Sequence, residues 1–99
     1  MGKHHWSLED DYVCCKAYLE YIFLNEIDYG AKELVERIYL KLPHISRESI
    51  RMKLQNIKAL ALDCGLEDSF EISPLANYSV QCKRAFQMAT DDLGKIINH

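Results

Sequence analysis

The sequence predicts an all-α fold, and three observations carry that expectation. Apolar residues recur at spacings of three and four along the chain, and no stretch sustains the strict alternation of a strand. Serines stand where helices would begin, at Ser7, Ser46 and Ser79. Pro43 and Gly65 stand where helices would end.

The first predicted helix covers Leu8 to Leu24. Ser7 is its N-cap, and Asp10 three residues on completes a capping box with the shorter acid. Glu9, Asp10 and Asp11 fill the first turn, where the helix dipole favours negative charge. Leu8, Val13, Cys15, Leu19, Ile22 and Phe23 supply apolar positions, with Tyr12, Tyr18 and Tyr21 at their margins. The second helix covers Ala31 to Leu42, with Leu34, Val35, Ile38, Tyr39 and Leu42 as an amphipathic stripe stopped by Pro43. The third covers Arg47 to Cys64, with Ile50, Leu54, Ile57, Ala61 and Cys64 as its core stripe and Gly65 as its C-terminal cap. Residues 66–78 read as a loop with Pro74 and Asn77 as turn residues. A fourth helix covers Val80 to Ile97, with Ala85, Phe86, Ala89 and Leu93 inward and Gly94 weakening its end.

At 99 residues the chain has material for one domain, residues 1–99, with a core over 6–62 and a C-terminal helix over 79–97. With 48% hydrophobic and 27% charged residues it has a globular balance, unlike a disordered chain. No apolar run approaches the roughly 18 residues of a membrane helix. The start lacks the apolar run of a secretory signal, and Trp6 stands where a myristoylation motif needs Ser or Thr. A cytoplasmic location without membrane attachment is expected. Cys14, Cys15, Cys64 and Cys82 form no Cys-x-x-Cys, so reduced and mostly buried thiols are expected. Neither they nor His4, His5 and His44 have zinc-ligand spacing, so no metal is expected.

The net charge of −3 gives the whole molecule no attraction for polyanions, so a local patch must carry any such binding. Residues 43–62 form that patch. Arg47, Arg51, Lys53 and Lys58 face only Glu48 in charge, while residues 1–29 and 63–78 are acidic. At about 100° per residue, Arg47, Arg51 and Lys58 share roughly 40° of arc, with Gln55 beside them. A solvated helix face has this appearance, and so does a helix contacting phosphates and base edges in a major groove.

Two resemblances bear on that choice. Trp6-Ser7-Leu8-Glu9-Asp10-Asp11 resembles the opening Trp-Ser/Thr-x-Glu-Glu/Asp-Asp of the Myb/SANT helix-turn-helix family. Ile38-Tyr39-Leu40-Lys41-Leu42-Pro43 resembles the end of that family's second helix, and Ser46 to Leu54 its third. The family's three spaced tryptophans would fall at Trp6, Val35 and Leu54. The resemblance covers about residues 6–60 and implies a three-helix bundle whose third helix reads DNA through positions matching Arg51, Met52 and Gln55. Met52 departs from the polar residue expected there, and many SANT-type domains bind proteins instead. A narrower likeness runs from Ser49 to Leu60 and on through Pro74-Leu75-Ala76-Asn77-Tyr78-Ser79 and Lys83-Arg84-Ala85-Phe86. It is similar to a helical module found ahead of HNH-type nuclease domains in bacterial and phage proteins. It implies a free-standing accessory module of bacterial or phage origin.

No P-loop, nucleophile elbow or His-x-x-x-His pair is present, and Asp10-Asp11 and Asp91-Asp92 read as ordinary helix acids. No enzyme and no cofactor are expected. The expected function is regulatory or defence-related binding of double-stranded DNA by the third helix. Arg47, Arg51, Gln55 and Lys58 would make the contacts, with Lys53, Lys83 and Arg84 adding phosphate contacts. With so few cations, binding would be weak unless a homodimer or a partner supplied more. The alternative is a protein-interaction module, an adaptor or a phage-encoded inhibitor of a bacterial enzyme. It would use the acidic first helix and the 66–78 loop, with Tyr18, Tyr21 or Phe70 exposed.

Overall fold

The computed structural model describes residues 6–24, 30–66 and 72–97. They form four helices, α1 (Leu8–Leu24), α2 (Ala31–Lys41), α3 (Arg47–Asp63) and α4 (Val80–Ile97), and contain no strand. The fold is all-α, and α2 and α3 each end one residue earlier than their sequence patterns predict. His4, His5, Phe70 and all three acids of the 66–78 loop, Glu67, Asp68 and Glu71, lie outside the described residues.

The predicted caps are present. The Asp10 amide donates to Ser7 Oγ at 3.0 Å, and the Ser7 amide donates to Asp10 Oδ2 at 3.2 Å, a reciprocal capping box. Ser46 Oγ accepts from the Ser49 amide at 3.1 Å, and Ser79 Oγ from the Cys82 amide at 3.0 Å. Each satisfies an amide that the first turn leaves without a helical partner. Ser46→Ala is therefore expected to cost about 1 kcal/mol of stability, read as a lower urea midpoint with unchanged slope. Gly65, at φ 81°, closes α3. Its amide donates to the Leu62 carbonyl at 3.0 Å, and the Leu66 amide donates to the Ala61 carbonyl at 2.8 Å, which makes a Schellman motif.

α1 lies at the centre. It makes its most extensive packing against α4 and also touches α2 and α3, while α2 packs on α3. This explains why α1 is apolar around so much of its circumference. Cys14, Cys15, Tyr18 and Leu19 are all fully buried between its neighbours. Tyr18 is thus a core residue and not a marginal one. The inner face predicted for α4 is buried as expected, at Ala85, Phe86, Ala89 and Leu93. The Tyr12 hydroxyl donates to Asp92, which ties α1 to the later turns of α4.

α2 and α3 join through a short turn in which the Ile45 amide donates to the Leu42 carbonyl at 3.0 Å and Ile45 is buried. His44 Nε2 lies 3.3 Å from Asp10 Oδ1, which links this turn to the start of α1. Residues 72–79 then run beside the middle of α3. The Leu75 amide donates to the Gln55 carbonyl at 3.0 Å, and Asn56 Nδ2 donates to the Leu75 carbonyl at 2.7 Å and to Asn77 Oδ1 at 3.1 Å. The Tyr78 hydroxyl donates to Asp63 further along the same helix. Cys64, placed in the core stripe by spacing, is exposed instead, because it follows the last helical residue and leads into the Gly65 turn.

Candidate nucleic-acid interface

The cations of α3 do not form the single patch that spacing implied. The helix divides into two halves. From Ile57 through Ala61 every residue is buried, because α3 here is enclosed by the other helices and the 72–79 segment. Lys58 falls in this half and is buried, so it is withdrawn from the outer face. The first turns are open on one side. There Glu48, Arg51 and Met52 are exposed and Gln55 is half-buried.

Lys53 is also inside, with 8% of its surface exposed. Its Nζ lies 2.8 Å from Asp11 Oδ1 and 4.6 Å from the centroid of the half-buried Trp6 ring. Asp11 is fully buried, and its Oδ2 accepts from Gln81 Nε2 at 2.9 Å. Gln81 Nε2 also donates to the Trp6 carbonyl at 2.8 Å. One carboxylate therefore joins α1, α3 and α4. Asp11 Oδ1 has no hydrogen-bond partner besides this ammonium contact among the described residues. This network replaces two sequence expectations: Lys53 as a phosphate contact, and Asp11 as an ordinary first-turn acid. Spacing could have revealed it. Lys53 sits three residues after Ile50 and four before Ile57, and Asp11 sits three after Leu8 and four before Cys15. Both charges fall within the apolar stripe of their own helix, and a buried charge needs a buried partner.

Arg47 is exposed but engaged. Its Nε donates to Glu36 Oε2 at 2.6 Å, and its guanidinium lies 4.0 Å from the centroid of the Tyr39 ring. The Glu36 carboxylate at this contact strengthens its hold on the proton. The pair clamps the start of α3 to α2 and offsets the arginine's charge. Lys83 and Arg84 are exposed on α4. α4 approaches α3 through Gln81 and Asp11 at Lys53, which stands about 160° round the helix from Arg51. Of the seven residues the sequence nominated, the open turns of α3 hold Arg51 and Gln55, with Arg47 at their edge.

The alternative surface fares similarly. Asp10 and Asp11 are buried, so α1 is less acidic outside than its sequence reads, and Tyr18 is fully buried. Tyr21 is half-buried. The exposed large apolar residues are spread over all four helices, led by Val80 (85%) on α4, Leu40 (81%) on α2 and Met52 (53%) on α3, with Phe23 the exposed one on α1. Among the described residues no cluster of three or more His, Cys, Asp or Glu is placed to hold a metal ion. None of their helices is long and apolar enough to cross a membrane. Fold and face together define an all-α domain whose third helix opens to solvent at its start, with Arg51 outward and Arg47 clamped beside it. No family model matches the chain, and no curated protein or solved structure matches it either.

Proposed function

We propose that this protein is a non-enzymatic helix-turn-helix module that contacts duplex DNA with the first turns of α3. The observation that carries the reading is the open side of those turns, directly after the short turn from α2. The first residues of a recognition helix are the ones that meet base edges in this kind of docking. Arg51 suits bidentate donation to guanine, and Gln55 suits adenine. Arg47 serves a phosphate once Glu36 releases it. The likeness of residues 6–60 to the Myb/SANT pattern supports the same reading, as does the likeness of the second half to modules accompanying nucleases. A regulatory or defence-related role in a bacterium or phage, in the cytoplasm, fits both. With two or three cations at the face, affinity is low at physiological salt and the module works beside a partner or a second copy.

Fluorescence anisotropy with a mixed-sequence duplex at three salt concentrations tests this. Arg47→Ala with Arg51→Ala is expected to weaken binding about tenfold or more and to flatten the salt dependence by about 0.9 for each phosphate no longer neutralised. Unchanged affinity and slope in that variant would refute the assignment. The second reading, a protein-interaction module, is favoured by the exposure of Leu40 and Met52 beside a depleted cationic face. It is the reading left if no duplex binds even at low salt.

A further inference from the structure

Three cysteines meet where α1 packs on α4. Cys14, Cys15 and Cys82 are each fully buried, and all are free thiols. The Cys15 thiol donates toward the Cys82 carbonyl oxygen across a sulfur–oxygen distance of 4.0 Å. Ala85 and Ala89, on the same face of α4, are small and fully buried, so little side-chain bulk stands between α4 and α1, its most extensive packing partner. Close backbones are what a disulfide requires, with Cα atoms within about 7 Å.

The two thiols are not equivalent. Cys82 is in the first turn of α4, and its amide is held by the Ser79 cap at 3.0 Å. A helix start stabilises a thiolate. The Cys15 side chain against it lowers the Cys82 thiol from its ordinary value, and the nearby Lys53 ammonium adds to this, while burial and the Asp11 carboxylate oppose it. Cys15 is pushed up by the Cys82 side chain and by burial. Cys14 is pushed up by burial, with the Asp11 carboxylate adding to it. Of Cys15 and Cys82, Cys82 is the sulfur that ionises more readily, and Cys15 lies against it.

We propose that Cys15 and Cys82 are an oxidative modification site, forming an intrachain disulfide between α1 and α4 when the protein meets a hydroperoxide. The Cys82 thiolate attacks the terminal oxygen of the hydroperoxide. The O–O bond breaks, Cys82 becomes a sulfenic acid, and the departing alkoxide takes up a proton as the alcohol, or water where the oxidant is hydrogen peroxide. Cys15 then gives up its proton and attacks the Cys82 sulfur. The S–O bond breaks, and the departing hydroxide takes that proton as water. Two thiols lose two electrons and the hydroperoxide gains them. Because both sulfurs are fully buried, hydroperoxide reaches them only in rare local openings at the α1–α4 seam, where Cys82 still has its place at the start of α4, so the reaction is slower than modification of the exposed Cys64.

The test is hydrogen peroxide treatment of the full chain, followed by alkylation, digestion without reduction and tandem mass spectrometry. The expected product is a linked peptide pair, lighter by two hydrogens, in which fragmentation between the adjacent cysteines places the bridge on Cys15. Cys14→Ser keeps this product, whereas Cys15→Ser and Cys82→Ser lose it. The fragmentation result on the natural chain stands even where a variant folds poorly. A bridge from Cys14, or no bridge to Cys82 after Cys64 has been fully oxidised, would overturn the proposal.

Discussion

Lys53→Ala is expected to lower folding stability by about 3–5 kcal/mol, measured as a fall in the urea midpoint. The loss comes less from the pair's own attraction than from what remains. Asp11 is fully buried, and without the ammonium its Oδ1 has no partner among the described residues. A domain of this size has roughly 5–15 kcal/mol in total, so the variant is close to unfolding. Replacing both partners tests the reasoning. Asp11→Leu with Lys53→Met removes both charges while keeping similar volumes, and it is expected to recover most of the loss. Gln81 then keeps its bond to the Trp6 carbonyl. A Lys53→Ala variant within about 0.5 kcal/mol of the natural chain would mean that this lysine is solvated and the network is not there.

Tyr18→Ala carries the second large effect, about 3–5 kcal/mol, the range for truncating a buried aromatic ring. Tyr18 is fully buried in the centre of α1, with helices on several sides. A ring covering only the margin of a helix would cost far less. Phe23, which is 46% exposed near the end of the same helix, provides the contrast. Phe23→Ala is expected to change stability by about 1 kcal/mol or less, within the ordinary range for point substitutions. Equal losses in the two variants would contradict the placement of α1 at the centre.

The helices were legible because their signals are local. Ser7, Ser46 and Ser79 cap their helices as their positions imply, and Gly65 closes α3 with the left-handed backbone its place implies. These interactions span three or four residues, so the chain announces them. The candidate face was less legible because its composition depends on what lies against α3. Counting charge along the helix treats every lysine as outward. Lys53 turns inward because Asp11 and Trp6 from the start of the chain receive it. Lys58 is buried because the later half of α3 is enclosed by elements distant in sequence. Arg47 is outward but clamped by Glu36 and Tyr39 on another helix. Among the cations, Lys53 left the clearer trace in the sequence, through its place in the apolar stripe with a matching acid on α1, and Lys58, four residues after Leu54 and three before Ala61, left a weaker one at the edge of that stripe.

The central claim is that the first turns of α3 contact duplex DNA, and amide chemical-shift mapping tests it most directly. A labelled full-length chain is titrated with a short mixed-sequence duplex at low salt. The expected shifts are concentrated at Ser46 to Gln55, with the amides around Lys83 and Arg84 little changed. Shifts centred on α4 or α1, or none at a duplex excess that saturates weak binders, would contradict it.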